Sequence, residues 1–396
     1  ALVIRTRPNG RLRRSGQATS IFEVDEAIVP QAIQIIPTRV IVFTNLFRDQ
    51  LDRFGEVDSI AERWKKTIRE LPAETILVLN ADDPAVASLG DYFAGRVIYF
   101  GIEDQSLNLE NQDGANEHHQ VIDTRTCPHC GTEYIYTLHL YSHLGHYRCP
   151  QCKRGRPLAA VQATKVENES FDRLHIQVET PRQKGHIIVP LPGLYNVYNV
   201  LAAIAVAQAL DIAWEPIVSG IEQFKPAFGR GERVQVAGRT ARMLLAKNPT
   251  GFNEVMRTLF ADGNKRHVLF ILNDNIADGK DVSWIWDVDF EQALEGFASL
   301  AVAGTRARDL VLRLKYAGLD PKDILVIPAG PLRVERREER AQSQSYGIAH
   351  ALDRAISQTP EGETLFIVPT YTGLLEIHRE LERRGLTPHY WEEPGP

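Results

Sequence analysis

The chain has four cysteines, Cys127, Cys130, Cys149 and Cys152, reading C-P-H-C and then, after eighteen residues, C-P-Q-C. Two C-x2-C loops at this separation form the pattern of a four-thiolate zinc site. Each loop presents a pair of thiolates to one tetrahedral ion, and the hairpin between them brings the pairs together. With four protein ligands no position is left for water, so the ion would be structural. Gly131 follows the first pair, where a knuckle turn needs positive φ, and Tyr134–Leu138 are the aromatic and β-branched residues of a hairpin strand. The alternative is two disulfides. The pairwise spacing, the net charge and the lack of a signal-peptide apolar stretch favour metal. His118, His119, His129, His139, His143 and His146 lie near this module. They are expected to decorate its surface.

Four other groupings could do chemistry. Phe22-Glu23-Val24-Asp25-Glu26, expected just after a strand start, could hold Mg²⁺ through its carboxylates or be a solvated acidic turn. Thr44-Asn45-Leu46-Phe47-Arg48-Asp49-Gln50-Leu51-Asp52-Arg53 crowds amide, acid and guanidinium groups behind an apolar run, where helix capping and an Asp49–Arg53 pair are the plainer reading. Phe228-Gly229-Arg230-Gly231-Glu232-Arg233 sets a phosphate-competent cation in a glycine-flexed loop, or marks a linker. Gly279–Asp287, with Trp284 and Trp286, follows Asn273-Asp274-Asn275 as a substrate or partner surface, or as ordinary packing.

Alternating apolar runs position these groups. Residues 38–44, 75–80 and 97–100 read as strands, with an amphipathic helix over 59–71. That alternation signals a doubly wound parallel sheet, whose ligands bind beyond the carboxyl ends of the strands, at Asn45 and Asn80–Asp83. Strands over 174–178 and 186–189 follow. Pro192–Asn199 then opens an Ala-rich helix to Leu210. A second α/β unit begins near Val234. Its strands are expected at 241–246, 268–272, 325–327 and 364–368, and its helices at 252–260, 290–293, 307–317, 346–356 and 374–384. The mixed-charge run Arg333–Arg340 reads as a solvated helix end or loop.

At 396 residues the chain accommodates two or three domains. Its 45 basic and 51 acidic side chains give a net charge of −6, which argues against coating nucleic acid through bulk positive charge. Val200–Ala207, the best apolar run, is too short to cross a membrane.

Together the motifs resemble the MurT-like group of the Mur ligase family over nearly the whole chain. They are F-E-V-D-E-A (22–27), T-N-L-F-R-D-Q-L-D-R-x-G-E (44–56), L-N-A-D-D-P (79–84), the four-cysteine ribbon, L-P-G-L-Y-N-V-Y-N-x-L-A-A (191–203), F-G-R-G-E-R (228–233), L-A-K-N-P-T-G-F-N-E (245–254), D-V-S-W-I-W-D-V-D-F-E (281–291) and R-A-R-D-L-V-L-R-L-K-Y-A-G (306–318). The resemblance implies an α/β fold. A Mur-ligase-like doubly wound, ATP-binding domain occupies residues 1–233, a four-cysteine zinc ribbon is inserted at 122–157, and a MurT-type α/β domain occupies 234–396. It implies a ligase that uses ATP and Mg²⁺ to activate the D-glutamate α-carboxylate of the lipid II stem peptide as an acyl phosphate. Ammonia from a glutaminase subunit, GatD, bound as a heterodimer, would then displace phosphate to give D-isoglutamine. The chain would be cytoplasmic, meeting the membrane only through lipid II.

By the same resemblance, Glu23 is the magnesium carboxylate and Asn45 lines the nucleotide–metal site. Asn196 and Asn199 match the Mur ligase H-N-x-x-N segment, the first lying by the adenine. Arg230 contacts ATP phosphate and Lys247 belongs to an ATP-side loop. Asp309 reaches across the subunit interface to complete the Cys–His triad of GatD; without the resemblance it reads as an exposed helix residue paired with Arg313. The family's G-T-N-G-K-T phosphate loop belongs upstream of F-E-V-D-E-A, and no G-x-x-x-x-G-K-[ST] occurs here. The basic, turn-rich opening without an initiator Met leads to the expectation that residues precede Ala1. Gln50 and Lys247 stand where many Mur ligases carry His. Two alternatives are a catalytically inactive, truncated scaffold that docks the glutaminase, and a zinc-ribbon nucleic-acid binder. The second has Arg148, Lys153, Arg154 and Arg156 but no net positive footprint.

Overall fold

The computed structural model describes residues 20–47, 57–109, 126–225, 230–328 and 337–387, with backbone alone at 230, 328 and 337–346. The chain divides into two compact units, Ala1–Thr38 and Arg39–Pro396. In the first, residues 20–25 have no regular structure and a turn leads into helix α1 (Val29–Ile35), with proline in its first turn. The acidic stretch around Glu23 is thus an irregular segment, with no strand at 20–22.

The second unit holds two six-stranded sheets. The first is built from β1 (Val40–Phe43), β2 (Ile76–Asn80), β3 (Arg96–Ile102), β6 (Val161–Ser170), β7 (Arg173–Glu179) and β8 (Lys184–Val189), in the order β1-β2-β3-β6-β7-β8. The first four strands are parallel, whereas β7 and β8 add as antiparallel neighbours. The sheet is therefore mixed rather than wholly parallel. Helix α2 (Val57–Arg69) buries Ile60, Trp64 and Ile68, spaced to form one stripe, and Trp64 lies 4.5 Å from Phe43 ring to ring. After the short turn α3 (Pro84–Ala87), helix α4 (Leu194–Ala209) buries residues on most of its circumference, and α5 (Trp214–Glu222) follows it. Between β3 and β6 the chain makes the hairpin β4 (Ile135–Tyr141) and β5 (Leu144–Arg148). Leu138, Leu140, Tyr141 and Leu144 share one core with the first sheet and α4, so the insertion is packed into the lobe.

The second sheet is built from β9 (Arg230–Val236), β10 (Arg239–Leu244), β11 (Arg266–Ile271), β12 (Phe297–Gly304), β13 (Ile324–Pro328) and β14 (Thr364–Pro369), in the order β13-β12-β11-β14-β10-β9. All neighbours are parallel except the β9–β10 hairpin. Successive side chains of β11 serve opposite faces. Val268 and Phe270 join the core under α6 (Pro249–Phe260) and α7 (Ala307–Ala317). Leu269 and Ile271 join the core under α8 (Arg337–Gln358) and α9 (Tyr371–Arg383). The segment expected as a helix at 290–293 is a 3₁₀ turn, Phe290–Gly296. Arg230 opens β9, so the glycine-flexed linker ends in the second sheet.

The β6–β7 turn ties the sheets together. Phe171 packs 5.0 Å from Phe366, and Asp172 pairs with Arg242 of β10.

Candidate functional site

The carboxyl ends of β1 and β2 meet in a buried polar cluster. Asp83 caps α3 through Oδ1, accepting from the amides of Ala85 (2.9 Å) and Val86 (3.1 Å). Its Oδ2 accepts from the amide of Leu46 at 2.8 Å, which fixes the segment that follows β1 and carries Asn45. Asp82, also fully buried, accepts from the Ile102 amide (2.8 Å), the Tyr198 hydroxyl (2.7 Å) and the Arg156 guanidinium. Burial, then Asp82, pushes the Tyr198 hydroxyl far above the ordinary phenol range. Asn80 is buried, and its Nδ2 has no hydrogen-bond acceptor among the described residues. A buried amide donor left unpaired at a parallel-strand edge suits an external acceptor such as a nucleotide oxygen.

The ribbon stands beside this edge. The four Sγ atoms lie within 4.8 Å of one another, with Cys130–Cys149 at 3.4 Å and Cys127–Cys152 at 3.6 Å. A tetrahedron with Zn–S near 2.3 Å has edges of about 3.8 Å, so the quartet is shaped to hold one ion. Gly131, at φ 73°, turns the first knuckle as expected, and its amide donates to Cys127 O at 2.8 Å. Lys153, at φ 64°, turns the second. Metal analysis of the purified protein should give about one zinc per chain, because one closed four-thiolate site takes one ion. A metal-free protein with two disulfides would contradict this.

The histidines near the ribbon are not all surface residues. His143, at the hairpin tip, is fully buried against Asp83 and Phe47, and His146 Nε2 donates to Ile102 O at 2.8 Å. A histidine in a two-residue hairpin turn normally reads as exposed; only the tertiary packing buries this one.

On α4, Asn196 Nδ2 donates to Pro192 O at 2.6 Å, and its Oδ1 accepts from Asn199 Nδ2 at 3.2 Å. The two expected asparagines therefore act as a pair, with Asn196 buried and Asn199 exposed. Gly193, at φ 84°, approaches the second lobe so closely that a Cβ there would lie 3.0 Å from Thr258 Oγ1. The backbone at Gly231 passes Pro192, where a Cβ would be 3.5 Å from Pro192 Cδ. The start of β9 thus runs beside the asparagine pair.

At the carboxyl end of the second sheet, Lys247 and Asn248 follow β10, and Asn248 caps α6 by accepting from Gly251 N at 2.7 Å. After β11 a polar network runs through Asn273, Asp274, Asn275 and Asp278 to Thr305, Thr370 and Thr372. Asp309 stands in the first turn of α7. Its partner is Arg306 at 2.7 Å, three residues before it, and not Arg313, which bonds Glu291 twice at 2.8 Å. Arg306 also reaches Asp274 at 3.4 Å.

Glu376 of α9 is a group that sequence patterning did not single out. Burial, followed by the nearby Asp278 charge, raises its carboxyl to about 7 despite a hydrogen bond with Asn273. The proton is therefore held more tightly folded than unfolded. The resulting stability is complete below the ordinary glutamate range and is lost as pH rises through about 7. Glu376→Gln should stabilise the protein by about 1–2 kcal/mol at pH 8, with no gain at pH 4, after allowance for screening at this partly accessible position. Urea denaturation at the two pH values reads the difference, and equal effects would contradict it.

Asn45, Asn196 and Asn199 thus belong to the first lobe, and Lys247 and Asp309 to the ends of the second sheet. Glu23 lies in the separate unit, and the side chain of Arg230 is outside the described residues, as are Gln50 and the Asp49–Arg53 pair.

Comparison with known proteins agrees with this architecture. Residues 10–144 match the Mur ligase middle domain and residues 245–374 the MurT ligase C-terminal family. A solved pseudomurein peptide ligase type C from Methanothermus fervidus superposes with a TM-score of 0.67 at 23% identity, covering 90% of this chain and 65% of that one. MurF from Acinetobacter baumannii gives 0.58 at 17% identity, covering 89% and 62%. The chain therefore spans just under two thirds of the length of these solved structures, and they share its fold. Two α/β lobes, with polar clusters at the carboxyl ends of their parallel strands, define a Mur-ligase-type protein.

The lipid II isoglutaminyl synthase (glutamine-hydrolyzing) subunit MurT of Staphylococcus aureus is 33% identical over 366 residues, 92% of this chain and 75% of its own length. The Streptococcus pneumoniae protein of the same name is 28% identical over 94% of this chain and 76% of its own length. The chain belongs to the MurT family of Mur ligases.

Proposed function

We propose that the chain is the nucleotide-using subunit of an enzyme that amidates the α-carboxylate of D-glutamate in the lipid II stem peptide, with ammonia supplied by a GatD-type glutaminase. The observation that carries this reading is the 33% identity, over 92% of the chain, to a relative whose name states that synthase. A carboxylate is a poor electrophile, and bound ATP with Mg²⁺ supplies the phosphoryl group that makes one of its oxygens a leaving group. In the acyl phosphate, the ammonia lone pair forms the new C–N bond, the C–O bond to phosphate breaks, and the nitrogen gives up a proton.

Each residue has a role that suits its chemistry. Asn196 and Asn199, already paired, line the adenine side, and Asn80 offers its free amide donor. Asn45 serves the nucleotide side, and Glu23 has the carboxylate chemistry to take Mg²⁺. Arg230 and Lys247 supply cations to balance phosphate charge. Cys127, Cys130, Cys149 and Cys152 would hold zinc with no open position, in a structural role. Asp309 has no donor to its Oδ1 among the described residues, leaving that oxygen to accept a partner imidazole N–H. Leu312 and Tyr316, three and seven residues on along α7, and Trp286, 5.6 Å from Tyr316 ring to ring, are exposed beside it and supply the apolar anchors of a docking face.

Among the described residues no helix is long and apolar enough to cross a membrane. On this reading the protein works in the cytoplasm and meets the membrane through lipid II alone. ATP turnover tests the reading: release of ADP should require lipid II and ammonia together. ADP release indifferent to lipid II would overturn it.

A further inference from the structure

The ribbon hairpin ends in an unusual way. A hairpin tip normally lies in solvent, yet Ser142 and His143 at this tip are both buried, His143 completely. Ser142 adopts φ 50°, a left-handed conformation that a non-glycine residue holds only when its surroundings impose it. The consequence is that the imidazole of His143 is driven into the carboxyl edge of the first sheet.

Three contacts fix it there. His143 Nε2 lies 3.1 Å from Asp83 Oδ2, with both side chains fully buried; the approach is a close polar contact whose angle falls outside hydrogen-bond geometry. The imidazole packs 4.8 Å from the Phe47 ring, centroid to centroid. Two residues on, Gly145 N donates to Asp82 O at 3.0 Å. The oxygen that His143 approaches is the same Oδ2 that accepts the Leu46 amide at 2.8 Å. Asp83 Oδ1 is spent on α3. The imidazole therefore stands directly against the one carboxylate oxygen that holds the segment bearing Asn45.

The opposite side of the tip touches the second lobe. Arg257 of α6 donates to Leu140 O at 2.8 Å and stands over the Tyr141 ring at 5.5 Å. Arg257 is itself held by buried Glu254 at 2.6 Å.

We propose that His143 is a positioning residue of the nucleotide site. Through Asp83 Oδ2 it orients the Asn45–Leu46 segment, so that the cysteine-held ribbon shapes the loop facing the nucleotide. This rests on the proposed nucleotide-using role for the chain.

The test uses the full-length protein in its metal-loaded form. His143→Phe keeps a ring against Phe47 but places no ring nitrogen beside Asp83 Oδ2. It should retain one metal per chain, exchange the Leu46 amide at least tenfold faster, and bind ATP·Mg about tenfold more weakly. His143→Gln, which offers an amide donor of similar reach, should return both readings to within about threefold of the parent. Retained metal with unchanged Leu46 exchange and unchanged ATP affinity in His143→Phe would overturn the proposal. If the Phe variant does not fold, His143→Asn, whose donor is too short to reach Asp83, is read in the same two assays with the same two outcomes. If the parent protein binds no nucleotide, the functional reading fails. The Leu46 exchange measurement then still decides whether His143 holds the segment.

Discussion

Asp309→Asn is expected to lower glutamine hydrolysis by the two-subunit complex roughly 10²–10⁴-fold, the range for removing the acid that orients a catalytic histidine. The structure supplies the reason that this residue can serve another chain. Arg306 engages Oδ2 at 2.7 Å and is held from behind by Asp274, so the carboxylate is aimed without being consumed. Asparagine can accept through its oxygen, but it cannot stabilise an imidazolium. The pair is partly exposed, and such pairs contribute only ~0–1 kcal/mol, so stability and zinc content should stay unchanged. Steady-state glutaminase assays of the complex, with metal analysis alongside, separate the effects. Unaltered turnover would reduce Asp309 to a surface residue.

Asp82→Ala should destabilise the protein by about 3–5 kcal/mol, the range for breaking a buried ion pair from one side. Asp82 has three donors: Arg156, the Ile102 amide and the Tyr198 hydroxyl. Its removal leaves the buried Arg156 with Glu103 alone, at 2.7 Å, and leaves the Ile102 N–H and the Tyr198 hydroxyl without an acceptor. Tyr198→Phe, which deletes one neutral donor, should cost about 1 kcal/mol. Chemical denaturation of the two single variants and the double variant reads both costs and their coupling. A loss below about 1 kcal/mol for Asp82→Ala would show that this cluster does not hold the ribbon-bearing lobe together.

Much of the architecture was legible because apolar periodicity and short motifs carry it. The strands ending at Phe43 and Asn80, the N-A-D-D edge and the thiolate quartet all follow from local pattern. β12 (F-A-S-L-A-V-A-G) was not legible. A small-residue run has no strong strand signature, and it forms a strand here because both of its faces are covered by helices. β6 was missed because its second half is polar and exposed. Asn196, Asn199 and Asp309, the proposed ends of the site, stood out in the sequence because they sit in motifs. Their partners did not: Pro192 O and Arg306 are near in sequence but compete with other local groups, such as Arg313 for Asp309, and Asp274 is a tertiary neighbour that spacing does not single out. His143 and Glu376 were invisible for the same reason, since a histidine in a turn and a glutamate on an amphipathic helix become special only through what buries them.

The most direct test of the central claim follows nitrogen. The full-length protein, combined with its glutaminase partner, is given ATP, lipid II and glutamine labelled with ¹⁵N in the side-chain amide. The stem peptide is then analysed by tandem mass spectrometry. The account predicts ¹⁵N in the α-amide of the D-glutamate residue, only when ATP is present. A stem peptide that remains the free acid, with both subunits intact and glutamine consumed, would contradict it.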